Sequence, residues 1–377
     1  MTDQEPTSRR DFLRGKSAFR ALLGRTRQAV DAVADSLQHA RTLSERAATA
    51  DAPAARLCIS RRAMACTFSR EYHAVDSDVA DDAALAALDL IERLEDQLSV
   101  YRAETEVQRI NADAATEAVP VEAGLFNLLT LSQRIAEDTN GAFDITSGPL
   151  AKAWGFFSRE GRMPDETDLA DALRRVDWRR VILDAAAQTV RFASPEVEIQ
   201  FNSIGKGYAL DCAKRSMAEA AAADFLLQGG GSSVVACGNQ RGSAANGWLV
   251  GIPHPSHPER RLGQIVLRNA GLGTSGSGVQ GFVHEGQRYG HVIDPRTGRP
   301  ANGLIAATAV APTGAEADAL ATAFYVMGPG DTAEYCHAHP NHGAVLVCEG
   351  GEDAAYDVHV FNLIEGRQWL PERGTNA

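Results

Sequence analysis

No run of 18 apolar residues occurs in the chain, so a membrane-spanning helix is not expected. Cysteine is sparse. Cys58, Cys66, Cys212, Cys237, Cys336 and Cys348 are dispersed among 377 residues, and none forms a Cys-x-x-Cys pair. That excludes a disulfide framework and leaves six separate thiols. An excess of basic charge is also missing: 37 Lys and Arg stand against 49 Asp and Glu, a net charge of −12. A broad nucleic-acid surface needs a basic face, so nucleic acid is not an expected partner. A small anionic ligand stays open, because backbone N–H groups and one metal ion can hold phosphate locally. No repeat of 20–50 residues is visible, and no Walker A loop is present. What remains is an ordinary folded composition, 44% apolar and 23% charged, long enough for about two or three domains or one large one.

Residues 1–50 carry nine basic against six acidic side chains, whereas the rest is strongly acidic. Ser8-Arg9-Arg10-Asp11-Phe12-Leu13-Arg14 is similar to a twin-arginine export motif, but Arg20 and Arg25 interrupt the apolar stretch such a signal needs. The expectation is a retained basic segment and a cytoplasmic protein, with export through this twin-arginine-like N-terminus as the alternative. No apolar run precedes Cys58, which argues against a lipid anchor. Residues 17–50 favour helix, and a small-residue linker containing Pro53 follows. The expected organisation is a basic extension over 1–56, one main domain over 57–370 and a tail over 371–377.

Both hydrophobic periods occur along the main domain, so the expected class is mixed α/β or α+β. Helical spacing marks 81–97, through Leu85, Leu88, Ile91, Leu94 and Leu98, then 124–137 and 208–222. Strands are expected at 181–183, 189–192, 197–201, 226–228, 233–237, 248–252, 264–267, 290–293, 306–310 and 344–347.

Three segments carry chemistry. In the run from Ala311 to Phe324, Thr313 and Glu316 form a capping box that starts a helix near Gly314. Asp318 and Thr322 then lie one above the other among Ala, Leu and Phe. A carboxylate and a hydroxyl in apolar surroundings need a partner, and a hard cation is one; a helix face turned to water is the other reading of that spacing. Arg288 to Gly298 reads as a strand running into an Asp-Pro-Arg-Thr-Gly turn, with His291 as a general base, a phosphate contact or a structural residue. Asn202-Ser203-Ile204-Gly205-Lys206-Gly207-Tyr208 puts an ammonium between glycines at a strand-to-helix junction, and Gln228 to Ser233 allows close backbone approach. Each of these two also reads as a plain turn.

Taken together, the segments resemble the FAD:protein FMN transferase family, the ApbE-like flavin transferases. The resemblance runs over about residues 60–365, through Met64-Ala65-Cys66-Thr67, Leu98 to Arg102 with Glu106 and Asn111, and Gly141 to Leu150 with Trp154-Gly155-Phe156. It continues through Ser203 to Asp211, Thr274-Ser275-Gly276, His291 to Gly298 and Glu316 to Thr322. It implies a two-part, T-fold-related architecture with a flavin cleft between the parts. It implies cleavage of FAD with Mg²⁺, Mn²⁺ being the alternative ion, and attachment of FMN to a Ser or Thr hydroxyl of an acceptor protein such as a redox subunit, with release of AMP. By motif match, Met64, Tyr101, Ala142, Phe143, Asp144, Gln200, Lys206 and Ile293 would contact FAD. Ser203, Asp318 and Thr322 would bind the metal with the Ala321 position nearby, and His291, with Asp318, would be catalytic.

The chain departs from the family pattern in places. Gln200 stands where an acidic residue is usual, Gly231-Ser232-Ser233 where Gly-Gly-Asp is usual, and Ala65-Cys66 where Gly-Thr is usual. The family's usual export-plus-lipid signal is absent from the sequence. Two other readings use the same residues: an FAD pyrophosphatase giving FMN and AMP, and a non-catalytic FAD-binding protein.

Overall fold

Four of the ten strand candidates, 226–228, 233–237, 306–310 and 344–347, find partners in one large sheet. A computed structural model of the chain describes residues 56–73, 77–220, 222–255, 257, 259–276, 280–350 and 356–372. The helix expected over 17–50 and the export-like motif lie outside the described residues. The chain begins with strands β1 (Arg56–Ala63) and β2 (Cys66–His73), then helices α1 (Ser77–Leu98) and α2 (Glu106–Asp113) and strand β3 (Val119–Pro120). Helices α3 (Ala123–Asp138), α4 (Gly148–Ala153) and α5 (Glu166–Arg174) precede strands β4 (Val181–Asp184) and β5 (Thr189–Phe192). Helix α6 (Gly205–Glu219) leads into β6 (Phe225–Gly229), β7 (Ser233–Cys237), β8 (Trp248–Pro253), β9 (Arg261–Leu267) and β10 (Gly271–Gly276). Next come β11 (Gly281–His284), β12 (Gln287–Gly290), β13 (Leu304–Ala311), α7 (Gly314–Ala338), β14 (Gly343–Glu349), β15 (Tyr356–Phe361) and β16 (Trp369–Pro371).

The main sheet has eight strands in the order β1-β2-β6-β7-β10-β13-β14-β15, every pair antiparallel. Alternation along its strands sorts side chains to two faces. Phe225, Leu227, Val235, Ala307 and Ala309 join the main core under the helices. Leu226, Val234, Leu272, Val345 and Val347 turn the other way, onto Trp248, Ile265 and Trp369 of the three-stranded sheet β16-β9-β8. The class expected from the sequence is the one observed, with a wholly antiparallel main sheet.

Helix α7 lies close on that sheet because neither surface has bulk. Ala315, Ala317, Ala319, Ala321 and Ala323 are all buried. On β10, a Cβ at Gly271 would come within 2.4 Å of the Thr313 carbonyl oxygen, and one at Gly273 within 2.4 Å of the Ala317 carbonyl oxygen. Helices α6 and α7 meet in the same manner: a Cβ on Gly207 would sit 2.0 Å from the Gly314 carbonyl oxygen. Backbone therefore lies against backbone at each of these points, with no room for a side chain between α7 and its neighbours.

The expected capping box is present, with the Glu316 N–H donating to Thr313 Oγ1 at 3.1 Å, and the helix starts at Gly314. In α1 the stripe Leu88, Ile91, Leu94 and Leu98 is buried, but Leu85, expected to belong to it, is exposed. The segment 197–201, expected to be a strand, is extended without a strand partner. Its backbone is satisfied otherwise: Ile199 donates to Asn111 Oδ1 at 2.8 Å and accepts from Asn111 Nδ2 at 3.0 Å, while Gln200 donates to the Ile145 carbonyl at 2.9 Å. One side-chain amide stands in for a neighbouring strand. The strand expected at 290–293 is also shifted, β12 ending at Gly290 and Ile293 making an isolated bridge with Pro300.

Candidate active site

Helices α6 and α7 cap each other, and the candidate carboxylate is one half of that exchange. Asp211 of α6 accepts from Gly314 N and Ala315 N at the start of α7, both at 2.8 Å. Asp318 of α7 accepts from Gly207 N at the start of α6 at 2.7 Å. Each carboxylate answers N–H groups that have no partner within their own helix and sits at the positive end of a helix dipole. Asp318 Oδ2 accepts a second bond, at 3.0 Å, from Ser233 Oγ. The reading in which Asp318 faces water is thereby excluded: it is buried.

Replacing Asp211 with Ala leaves two N–H groups of α7 without an acceptor. The expected cost is about 3 kcal/mol, read as a lower urea midpoint with unchanged slope. An unchanged midpoint would show that the caps hold nothing.

Burial pushes the Asp318 carboxyl up to about 6, against the pull of Lys206, Ser233 and Gly207. Lys206 is the second residue of α6, and its charge reaches Asp318, Cys66 and His291. Cys66, the first residue of β2, lies beside Gly230, where a Cβ would be 3.1 Å from its sulfur. Burial raises the pKa of this thiol. Thr322, one turn beyond Asp318, shares a 3.1 Å hydrogen bond with Ser275 of β10.

His291 lies just after β12. Its Nδ1 is 3.1 Å from the Gln280 carbonyl oxygen, which can only accept, so Nδ1 carries the proton and Nε2 presents a lone pair. Burial lowers the pKa of this imidazole, with smaller contributions from Lys206 and Arg288. The turn after it is tight, Asp294 Oδ1 accepting from Arg296 N at 2.9 Å and Gly298 adopting φ 73°. Trp154 Nε1 fastens that turn by donating to the Gly298 carbonyl at 2.8 Å.

Other residues named from the sequence fall elsewhere. Met64 and Ala65 make the left-handed turn between β1 and β2, with φ of 49° and 58°. Tyr101 is 59% exposed and stacks on Phe157 with centroids 4.6 Å apart. Its hydroxyl accepts from Asn202 Nδ2 at 3.1 Å, and the same amide donates to Gln200 Oε1 at 2.7 Å. Ala142 and Phe143 point into the core, so only their backbone is available to a ligand. The Asp144 carboxylate is spent internally: it accepts from Thr146 N, Thr146 Oγ1 and Trp178 N, and burial pushes it up to about 6. Ile293 packs against the Trp154 cluster. Ser203 is half-buried in the turn before α6. Ala321 is buried and could offer only its carbonyl oxygen.

The donor set around Asp318 fits a hard cation of a particular kind. Its Oδ1 accepts no hydrogen bond among the described residues, and the Thr322 hydroxyl, one turn on, lies 3.1 Å from Ser275 Oγ and 3.4 Å from the Asp318 backbone carbonyl. Among the described residues no group of three His, Cys, Asp or Glu converges, so a cage of carboxylates is absent. One carboxylate with hydroxyls suits Mg²⁺, which keeps waters and takes its remaining oxygens from substrate phosphates.

Sequence reasoning undervalued three residues. Asp211 stood inside a quoted motif without a role, Ser233 was read as a lost carboxylate, and Gln280 gave no signal. The two i→i+4 glycine-and-acid runs that cross, Gly207 with Asp211 and Gly314 with Asp318, could have suggested reciprocal capping.

Comparison with known proteins gives the family of this fold. The model of the ApbE family matches residues 64–347. A FAD:protein FMN transferase of Klebsiella pneumoniae is 34% identical over 250 residues, covering 65% of this chain and 70% of the relative. One of Vibrio cholerae is 30% identical over 285 residues, covering 73% and 83%. Among solved structures, the ApbE protein of Thermotoga maritima superposes with TM-score 0.71 at 27% identity, covering 81% of this chain and 96% of the other. The apo flavinyl transferase ApbE of Pseudomonas stutzeri gives 0.71 at 25% identity, covering 83% and 96%. The chain therefore belongs to the ApbE family.

Proposed function

We propose that this protein cleaves FAD with the help of Mg²⁺ and attaches FMN to a Ser or Thr hydroxyl of an acceptor protein, releasing AMP. The activity comes from the names of its relatives. The observation that carries the finer reading is the buried Asp318, with Oδ2 tied down and Oδ1 left for a cation beside Lys206. Bound there, Mg²⁺ would neutralise charge on the pyrophosphate.

The chain's own groups supply the rest. Lys206 and the start of α6 offer positive charge to phosphate oxygens. Tyr101, Gln200 and Asn202 form an exposed aromatic and amide wall, and the backbone of 142–143 with Met64 and Ile293 completes the proposed flavin contacts. Ser203, Thr322 and the Ala321 carbonyl are the proposed further oxygens for the cation. His291 Nε2 takes the proton of the acceptor hydroxyl. The hydroxyl oxygen then bonds to the FMN phosphorus, the bond from that phosphorus to the bridging oxygen breaks, and the bridging oxygen leaves with its electron pair on AMP.

Because His291 must be neutral to act and its pKa lies below 6.5, the transfer rate should rise with pH along a limb below 6.5 and be flat at pH 7–8. His291→Ala should slow transfer about 10²- to 10⁴-fold with FAD affinity unchanged. Equal losses in both would remove its role as base. Incubation with FAD and Mg²⁺ and no acceptor separates the alternatives: rapid multiple-turnover release of FMN and AMP marks a pyrophosphatase. FAD bound and uncleaved even with acceptor present marks a binding protein.

A further inference from the structure

The Asp318 carboxylate is held by a residue for which the resemblance gives no such role. Ser233 opens β7, is 1% exposed, and its hydroxyl lies 3.0 Å from Asp318 Oδ2. Gly207 N donates to the same oxygen at 2.7 Å. An aspartate's terminal torsion is soft and roughly two-fold, so an unsupported carboxylate presents either oxygen. Two donors from different elements, β7 and α6, meeting on one oxygen remove that freedom.

The hydroxyl is itself fixed. Ser233 pairs with Gly229 of β6 on one side and Gly273 of β10 on the other, so the three share one row on the face toward α7. Glycine on both sides leaves Ser233 without a side chain beside it, the row continuing to Phe68 beyond Gly229 and to Ala309 beyond Gly273. Gly273 brings the strand within backbone contact of Ala317 and Asp318, which sets the reach from Ser233 Oγ to the carboxylate.

We infer that Ser233 is a positioning residue for the divalent cation: with Gly207 N–H it locks Oδ2 and leaves Oδ1 as the carboxylate oxygen offered to the cation. At this position the family pattern places a second carboxylate; this chain places a donor, so it orients one charge instead of adding another. The inference rests on the proposed cation at Asp318.

The test uses the full-length protein with Mn²⁺ as probe, its uptake followed by electron paramagnetic resonance in the presence of FAD. FAD affinity without metal is measured separately by flavin fluorescence. For Ser233→Ala the expected result is a Mn²⁺ dissociation constant about 10- to 100-fold higher, with metal-free FAD affinity unchanged and a single cooperative melt retained. Ser233→Thr, which keeps the hydroxyl, restores most of the Mn²⁺ affinity. Equal Mn²⁺ affinity in the parent and Ser233→Ala overturns the role of Ser233 and leaves the cation reading standing. Equal losses in the Ala and Thr variants assign the effect to packing and also overturn it. No Mn²⁺ uptake by the parent overturns the cation reading and this inference with it.

Discussion

Asp318→Asn is expected to lower metal-dependent FAD cleavage about 10³-fold while leaving the fold in place. The amide oxygen can still accept from Gly207 N and Ser233 Oγ, so the exchange of caps between α6 and α7 survives. What disappears is the charge that a cation requires. Removing it does not cost stability at neutral pH. Burial raises the native carboxyl to about 6 from 3.8. The metal-free parent therefore binds more protons folded than unfolded through that window, and its stability falls as pH rises from about 4 to about 6. The Asn variant lacks that loss. Thermal melts of metal-free protein at pH 7.5 should show the variant no less stable than the parent. Cleavage at the parent rate would contradict the proposed site.

Gly207→Ala is expected to be the most damaging small substitution in the domain. The added carbon would meet the Gly314 carbonyl oxygen at 2.0 Å and the Gly314 carbonyl carbon at 2.3 Å. Both are backbone, so no rotamer change can make room, and α7 must move away from α6. Moving it breaks the Asp318 bond to Gly207 and strains the Asp211 caps. A loss of about 3 kcal/mol or more follows, or failure to fold. Gly205→Ala is the internal control. It lies two residues earlier, at the first turn of the same helix, and its Cβ would meet only Phe201 Cβ at an ordinary 3.5 Å. That substitution should be neutral or slightly stabilising, because Ala is the better helix former and Gly loses more chain entropy. Urea denaturation of the two variants side by side reads the difference, and equal midpoints would contradict the close crossing.

The legible parts of the fold were those written in local pattern. The capping box at Thr313 and Glu316 and the stripes in α1 and α3 show in the sequence because helix caps and amphipathic faces are short-range features. Strands β6, β7, β13 and β14 show for the same reason. Strand β1 was not legible: Arg56, Arg61 and Arg62 interrupt its alternation, and it sits at the edge of the sheet with one half exposed. The segment 197–201 has the composition of a strand, but its partner is the Asn111 side chain, which no periodicity announces. At the site, Asp318 and Thr322 were legible as a pair at helical spacing. The partners of Asp318, Ser233 and Gly207, were not, because they lie 85 and 111 residues away and meet it only through the sheet and the helix crossing. Asp144 shows the opposite case, a residue marked by motif whose carboxylate the fold consumes at Thr146 and Trp178. Its contribution to the proposed flavin contacts is to hold the loop whose backbone at 142–143 makes them.

Flavin transfer is read most directly from the intact mass of an acceptor protein after incubation with this enzyme, FAD and Mg²⁺. The expected result is an increase corresponding to one FMN on a Ser or Thr, one AMP released per acceptor modified, and no increase when chelator replaces Mg²⁺ or Asp318→Asn replaces the parent. An acceptor of unchanged mass, with FAD recovered whole or hydrolysed to free FMN and AMP, would contradict it.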